Sequence, residues 1–255
     1  MKKEQIAAQL YTVRDLLQNE SDIRKSLKKI KALGYDSVQI SGMAYIDEKV
    51  CKSILDENGL ICCATHENGE VILDEPYKII DRLKKLDCKY TAFPHPGNIP
   101  TNNHEEVQNL VERFNKAGEI YAQNGIILTY HNHHNEFRKI NGRLILDMLY
   151  EDTDPKFLQG ELDTYWVQFG GGSCVEYIKK LYNRLPLLHL KDYIVTENNQ
   201  VTFAEIGEGN LNWQAIIKEA EKVGCKWFIV EQDTCNKDPF DSLKISLEYL
   251  VNNFC

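Results

Sequence analysis

The chain has 255 residues and a mass of 29.5 kDa, enough for one large domain or two small ones. Its formal net charge of -8 and its pI near 5.4 disfavour binding to the phosphate backbone of nucleic acids. The sequence contains no signal-peptide pattern and no apolar run of about 18 residues. These features predict a cytoplasmic protein that contacts neither nucleic acid nor membrane.

A unit of amphipathic helix, short break and short apolar run recurs about every 30 residues. With the opening stretch QIAAQLYT (5–12), the unit yields eight candidate strands. The other seven lie in segments 32–40, 57–65, 86–93, 123–131, 156–163, 183–190 and 222–231. Apolar strands separated by helices are typical of a parallel sheet covered by helices. The pattern predicts a single-domain (β/α)8 barrel over residues 1–255.

An open, doubly wound sheet is the alternative architecture. Such a sheet normally has a glycine-rich phosphate turn after an early strand, whereas the first turn here, QLYTVRDLL, has no glycine. The first helix is predicted over residues 21–34, with Ser21 as its N-cap and Gly34 as its left-handed exit. The Asn-rich stretch 98–106 predicts a long surface loop that leads into a helix.

Polar side chains occupy the carboxyl ends of most predicted strands, where barrels of this type carry their active sites. In chain order they are His66, His95, His131, His133, Asp163, His189 and Glu231. Buried imidazoles and carboxylates are costly unless a cation or a substrate completes the cluster. The strand ends therefore predict a site for a cation, a polar substrate, or both.

Asp163, His189 and Glu231 belong to successive strands, so their side chains are expected to meet. Two carboxylates and an imidazole suit a divalent ion such as Mn, Mg, Co or Zn. We expect a fourth ligand from the fifth strand or the turn after it. Within YHNHHNEF (130–137), alternation along a strand places His131 and His133 on one face. One of these histidines could then bind metal while the other transfers protons.

The order of these segments resembles the sugar phosphate isomerase/epimerase family of the xylose isomerase-like barrels, whose relatives include inosose dehydratase and endonuclease IV. The resemblance spans the chain through GYDSVQI, the HNH of the fifth strand, ELDTYW, LLHLKD, EIGEGNLNW and VEQD. It implies Asp163, His189 and Glu231 as metal ligands. Ketose-converting members carry a Glu where this chain has His131. Similarity to a branch with Tyr-His-Asn-His-x-x-Glu-Phe makes Glu136 the preferred fourth ligand and His131 the alternative.

The resemblance implies a divalent-metal-dependent isomerase or epimerase of a small sugar or keto-sugar. Such an enzyme abstracts a proton next to a carbonyl and stabilises the resulting enediolate with its metal. His133 or His131 is the expected base, and Lys191 is expected to hold or protonate the substrate oxygen. The remaining predicted substrate contacts are His66, His95 and Trp166.

Two alternative functions stay open. A lyase or dehydratase acting on a 3-keto-sugar or inosose would share the first step, and His131 in place of Glu favours it over two-base epimerisation. A non-catalytic sugar-binding or partner subunit could retain the same barrel and cluster. A small carbohydrate is the expected ligand, and the sequence leaves a homo-oligomer open.

Overall fold

Eight parallel strands close into a barrel in the computed structural model, which describes residues 1–97 and 99–255. Neighbouring strands follow chain order, and the last strand pairs with the first. The strands are β1 (Ile6–Gln9), β2 (Ser37–Ile40), β3 (Ile61–His66), β4 (Tyr90–Phe93), β5 (Ile127–His131), β6 (Gln159–Asp163), β7 (Leu187–Leu190) and β8 (Trp227–Val230). Each overlaps its predicted segment, which confirms the (β/α)8 barrel. That residues 1–255 form one domain stays a prediction.

Helices surround the barrel and connect its strands. They are α1 (Glu20–Leu33), α2 (Glu48–Glu57), α3 (Gly69–Asp74), α4 (Pro76–Lys85), α5 (His104–Gln123), α6 (Ile145–Glu151), α7 (Thr164–Phe169), α8 (Cys174–Lys180), α9 (Trp213–Lys222) and α10 (Pro239–Phe254). Two antiparallel hairpins extend the loops, one joining 139–140 to 143–144 and one joining Asp192–Val195 to Val201–Ala204. Among the described residues, no helix has the length and apolar character needed to span a bilayer.

Helix α1 shows how local sequence sets these elements. It begins one residue earlier than predicted, because Asn19 and not Ser21 is the N-cap: the Asn19 side chain accepts a hydrogen bond from the Asp22 N–H at 3.0 Å. Leu27 lies on its buried face, and burying such a side chain contributes about 1.5–3 kcal/mol. Gly34 ends the helix as predicted, with a left-handed φ of 107°.

The predicted loop 98–106 is shorter than expected at its far end. Asn98, its first residue, lies outside the described residues. Helix α5 already begins at His104, because the Asn103 side chain accepts a hydrogen bond from the Glu106 N–H and caps the helix. The last three residues of the predicted loop are therefore helical.

The barrel interior changes from apolar to polar along the strands. The strands bury a plug of Ala7, Cys63, Ala64, Leu187 and Ile229. Side chains on one face of a strand recur every second residue, so Gln9 follows Ala7 and His189 follows Leu187 on the inner face. The register places Gln9 beside Gln39 on the neighbouring strand. A closed sheet over a packed plug thus supports the polar side chains at its carboxyl end.

Candidate metal centre

Four potential metal ligands meet at the carboxyl ends of β5–β8. His131 ends β5, Asp163 ends β6, His189 lies in β7 and Glu231 follows β8. Each offers one ligand atom, and these four atoms all lie within 4.8 Å of one another. All four residues are buried. Two carboxylate oxygens and two imidazole nitrogens form a mixed donor set that suits a divalent ion.

The imidazole of His131 turns its unprotonated nitrogen toward this cluster. Its Nδ1 lies 3.2 Å from the carbonyl oxygen of Pro94, which only accepts hydrogen bonds, so Nδ1 carries the proton. The Nε2 lone pair then faces Asp163 Oδ2 at 3.3 Å. Two acceptors at this distance require a proton or a cation near both of them.

His189 also points one nitrogen at a carboxylate and the other at an acceptor, but the roles of Nδ1 and Nε2 are reversed relative to His131. Its Nε2 donates to Gln39 Oε1 at 2.7 Å, and its Nδ1 faces Glu231 Oε2 at 2.9 Å. Burial lowers the pKa of His189, but the carboxylates of Glu161 and Glu231 outweigh it and raise the pKa to about 10. Both histidines therefore direct a nitrogen at a carboxylate in a position that a proton or a metal ion can occupy.

Lys191 follows β7 and lies buried beside the donor cluster. Its Nζ is 3.1 Å from Asp163 Oδ2, 2.7 Å from Glu231 Oε2 and 3.0 Å from Asp233 Oδ1. Burial lowers the pKa of Lys191, but these three carboxylates outweigh it and raise the pKa above the usual value. Lys191 is thus a positive charge held among three carboxylates at the cavity wall. That it holds or protonates a substrate oxygen stays a prediction.

Glu136, the preferred fourth ligand from sequence, lies outside the donor cluster. Its Oε1 accepts a hydrogen bond from the Tyr130 hydroxyl at 2.7 Å, and its Oε2 accepts one from the His133 backbone N–H at 2.9 Å. Both oxygens are therefore engaged in holding the turn after β5. The cluster contains His131, the alternative, and not Glu136.

His133 lies beyond the end of β5 and still reaches the site, because the turn held by Glu136 folds it back. Its ring centroid is 4.9 Å from that of His131 and 5.3 Å from that of Trp166. Desolvation, followed by the charges of His131 and Lys191, lowers the pKa of His133 to about 2. Its Nδ1 is buried without a hydrogen-bond partner. His133 is thus a neutral imidazole with a nitrogen free for a ligand.

A cavity of about 580 Å³ opens onto the cluster, within the roughly 300–1,000 Å³ typical of small-molecule sites. Its wall includes His66, His95, His131, His133, Lys191 and Glu231. His95 stands near the outside, where its Nδ1 accepts a hydrogen bond from the Gly97 N–H at 2.7 Å. Trp166 lies beside His133, and its indole N–H is buried without a partner. Two of the three predicted substrate contacts, His66 and His95, therefore line one cavity, and Trp166 lies next to His133 in its wall.

Sequence reasoning missed several polar residues of the site. Glu161 is fully buried and contacts both His66 and His189, and Asp233 contacts Lys191. Arg14 and Tyr11, which follow β1, also line the cavity. Their spacing from the predicted ligands could have indicated two of them. Glu161 precedes Asp163 by two residues, which places both on one face of β6, and Asp233 follows Glu231 at the same interval.

A family model described as xylose isomerase-like TIM barrel matches residues 27–252. The chain belongs to this family. The crystal structure of a sugar phosphate isomerase/epimerase from Parabacteroides distasonis superposes with a TM-score of 0.84. The two are 26% identical, and the match covers 100% of this chain and 96% of that chain.

Two further proteins extend the comparison. An inosose dehydratase from Geobacillus thermodenitrificans is 27% identical over 92% of this chain and 90% of its own length. A xylose isomerase-like TIM barrel protein from Mycobacterium smegmatis, solved in complex with magnesium, superposes with a TM-score of 0.73 at 15% identity. The match covers 97% of this chain and 95% of that chain, and it shows that the two share the fold. Together with the buried His/Asp/Glu cluster, family membership identifies an enzyme of the xylose isomerase-like superfamily whose donor set suits a divalent metal.

Proposed function

We propose that this protein is a lyase that eliminates a β-hydroxyl or β-alkoxy group from a small keto-sugar or inosose. Its cation would be held by His131, Asp163, His189 and Glu231. The observation that carries the proposal is the orientation of the two imidazoles, each of which points one nitrogen at a buried carboxylate while its other nitrogen donates elsewhere. A bound divalent ion would polarise the substrate carbonyl and stabilise the negative charge that follows proton removal.

The charges of the site support a cation. Asp163 and Glu231 are buried beside one another, and Glu161 is buried beneath them. Lys191 contributes one positive charge to this group, shared with Asp233, and the protonated ring of His189 contributes a second. Buried carboxylates without enough positive charge are strongly destabilising. A divalent ion among the donor atoms would balance most of the remaining negative charge.

His133 is the proposed base. Its free Nδ1 lies in a buried position next to the donor cluster, where it would face the carbon beside the substrate carbonyl. The imidazole would take the proton from that carbon, and the electron pair of the broken C–H bond forms the C=C bond of an enolate, whose negative charge beside the ring offsets the low pKa of free His133. The enolate then re-forms its carbonyl, a C=C bond forms to the next carbon as the C–O bond there breaks, and the imidazole returns its proton to the departing oxygen. Water or an alcohol leaves, and His133 is regenerated.

The strand-5 residue supports elimination over epimerisation. Inversion at a carbon requires a proton acceptor on one face and a donor on the other. The Glu that ketose-converting relatives carry is His131 here, and both of its nitrogens are engaged, one by Pro94 and one by the donor cluster. A single imidazole that accepts and returns the proton on one face is sufficient for elimination.

The substrate contacts follow from the cavity wall. We assign hydroxyl recognition to His66 and His95, and the indole N–H of Trp166 offers a further donor beside His133. Lys191 would hold Asp163 and Glu231 in place. Isomerisation or epimerisation of a sugar is the second candidate, supported by the 26% identity to the Parabacteroides distasonis protein. Both reactions begin with the same proton removal.

The test is hydrogen exchange combined with product analysis. Protein loaded with Mn²⁺ is incubated in D₂O with a panel of keto-sugars and inososes, and the products are followed by NMR and mass spectrometry. We expect loss of water or alcohol. His133→Gln should slow the reaction by about 10²–10⁴-fold while the Mn²⁺ content stays the same. His104→Gln, at the exposed start of α5, is the matched control and should react like the wild type.

Each other outcome has a definite meaning. A product that keeps all its oxygen atoms but changes configuration or carbonyl position would favour the second candidate. Mn²⁺ binding without proton exchange into any substrate would indicate a non-catalytic sugar-binding protein. Exchange that survives His133→Gln at full rate would refute the assigned base.

A further inference from the structure

We infer that Glu161 is a positioning residue that sets the tautomers of two histidines at the site, His189 and His66. The inference rests on the proposed function, because a metal-binding His189 needs its Nδ1 free of hydrogen. Glu161 lies on β6, two residues before Asp163, and is fully buried. It forms no part of the four-residue donor cluster, so the proposed chemistry leaves this buried carboxylate unexplained.

The hydrogen bonds from Glu161 to His189 have one consistent direction. A carboxylate only accepts, and Gln39 Nε2 lies 2.5 Å from Glu161 Oε1, so the amide of Gln39 turns its NH₂ group toward Glu161. The amide oxygen of Gln39 therefore faces His189 Nε2 at 2.7 Å and accepts its proton. Glu161 thus determines, through a single amide, that Nδ1 is the nitrogen of His189 left for a cation.

The other oxygen of Glu161 controls His66. Its Oε2 accepts a hydrogen bond from His66 Nε2 at 2.6 Å, so the nitrogen left with a lone pair is Nδ1. The rings of His66 and His189 are stacked, with centroids 5.3 Å apart and planes 5° from parallel. His66 also lines the cavity. One carboxylate therefore prepares both a metal ligand and an acceptor for a substrate hydroxyl.

A second cation at Glu161 would be the competing explanation, because His66, Glu161 and His189 also bring ligand atoms within 4.8 Å of one another. His189 Nε2 would have to give up its proton to bind that ion. That nitrogen lies closer to Gln39 Oε1, at 2.7 Å, than to Glu161 Oε1, at 3.3 Å. The hydrogen-bonded arrangement therefore favours an orienting role over a second metal.

The test compares three variants by NMR and calorimetry. In protein labelled with ¹⁵N-histidine, the wild type should show hydrogen-bonded Nε2–H signals for His66 and His189, both without metal and with Zn²⁺. Glu161→Gln carries an NH₂ group where the carboxylate accepted, so at least one of these signals should disappear. Zn²⁺ affinity should fall by about 10–100-fold, as for other residues that orient metal ligands. Glu205→Gln is the matched control, because Glu205 is also a buried carboxylate but bonds Ser242.

Gln39→Met separates the contribution of the carboxylate from that of the amide. Glu161 Oε1 is 3.3 Å from His189 Nε2 and would accept its proton directly, so this variant should retain both signals and bind Zn²⁺ within about threefold of the wild type. If Gln39→Met lost the signals and Glu161→Gln kept them, Gln39 would be the positioning residue and the inference would be wrong.

Two further results overturn the inference without depending on how well a variant folds. In the wild type, an Nδ1–H signal for His66, or one for His189 once Zn²⁺ is bound, would contradict the assigned tautomers. Zn²⁺ affinity of Glu161→Gln within about threefold of the Glu205→Gln control would contradict the effect on the metal ligand. Wild-type protein that bound no Zn²⁺ would refute the proposed function instead, and the signals of the metal-free protein would still decide the role of Glu161.

Discussion

Strands β5–β8 and strands β1–β4 end at the same cavity but carry different side chains. The strands of the first half contribute neutral groups, among them Gln9, Gln39 and His66, while the charged Arg14 and Glu67 of the cavity wall follow β1 and β3. The second half contributes His131, Glu161, Asp163, His189 and, just after β8, Glu231. The buried carboxylates around the donor cluster are thus concentrated on one side, where Lys191 and a bound cation would lie among them.

Electrostatics explains why the two halves differ. Neighbouring strands are about 4.8 Å apart, so ligands on successive strands can reach a single ion. Further carboxylates on β1–β4 would add buried negative charge that the same ion could not balance. Amides such as Gln39 instead relay hydrogen bonds and orient the ligands at no cost in charge. Substitutions of the ligands in the charged half should therefore remove metal binding, and substitutions in the neutral half should only weaken it.

Asp163→Asn should give the largest effect. Asp163 Oδ1 also caps α7 by accepting a hydrogen bond from the Trp166 N–H at 3.0 Å, and asparagine keeps that cap. Because outer residues that orient ligands already cost 10–100-fold, loss of a ligand charge should weaken Mn²⁺ binding by more than about 100-fold. Calorimetric titration measures this, with Asp147→Asn as the control. Binding within about tenfold of the wild type would remove Asp163 from the ligand set.

His131→Ala and Glu136→Gln together test which residue of the YHNHHNEF stretch binds the cation. His131→Ala should weaken Mn²⁺ binding by about 100-fold or more. Glu136→Gln should change it by less than about threefold, because glutamine can accept from the His133 N–H and donate to the Tyr130 hydroxyl. The reverse order of effects would show that the turn rearranges on metal binding and that Glu136 is the ligand.

The fold could be predicted because its signal is local and repeated. Each strand is a short apolar run and each helix has a regular apolar face, so errors stayed at the ends of elements, as at Ser21. The ends of parallel strands also meet in any barrel, which is why Asp163, His189 and Glu231 could be grouped from sequence. The order of the strands and the alternation of side chains along each strand are sufficient for this grouping.

The fourth donor could not be chosen from sequence, because it depends on a turn. Glu136 lies in a short 3-10 helix, 135–137, which directs its carboxylate to Tyr130 and the His133 N–H. The spacing between His131 and Glu136 does not indicate where the carboxylate of Glu136 points. Glu161 was overlooked for a different reason: its partners Gln39 and His66 lie on β2 and β3, and only the closed barrel brings them to β6.

Gln9→Met should give the smallest effect and tests the neutral half most directly. Gln9 Nε2 donates to Gln39 Oε1 at 2.8 Å, the oxygen that also accepts from His189. Methionine keeps the volume but removes this buried hydrogen bond, which should cost about 1 kcal/mol of folding free energy. The bond from His189 to Gln39 remains, so Mn²⁺ affinity should change by less than about threefold. Chemical denaturation measures the folding free energy, and calorimetry measures the Mn²⁺ affinity.

A loss of Mn²⁺ affinity as large as that of Asp163→Asn would mean that the neutral half holds the ion too. The division of the barrel into a charged half and an orienting half would then fail.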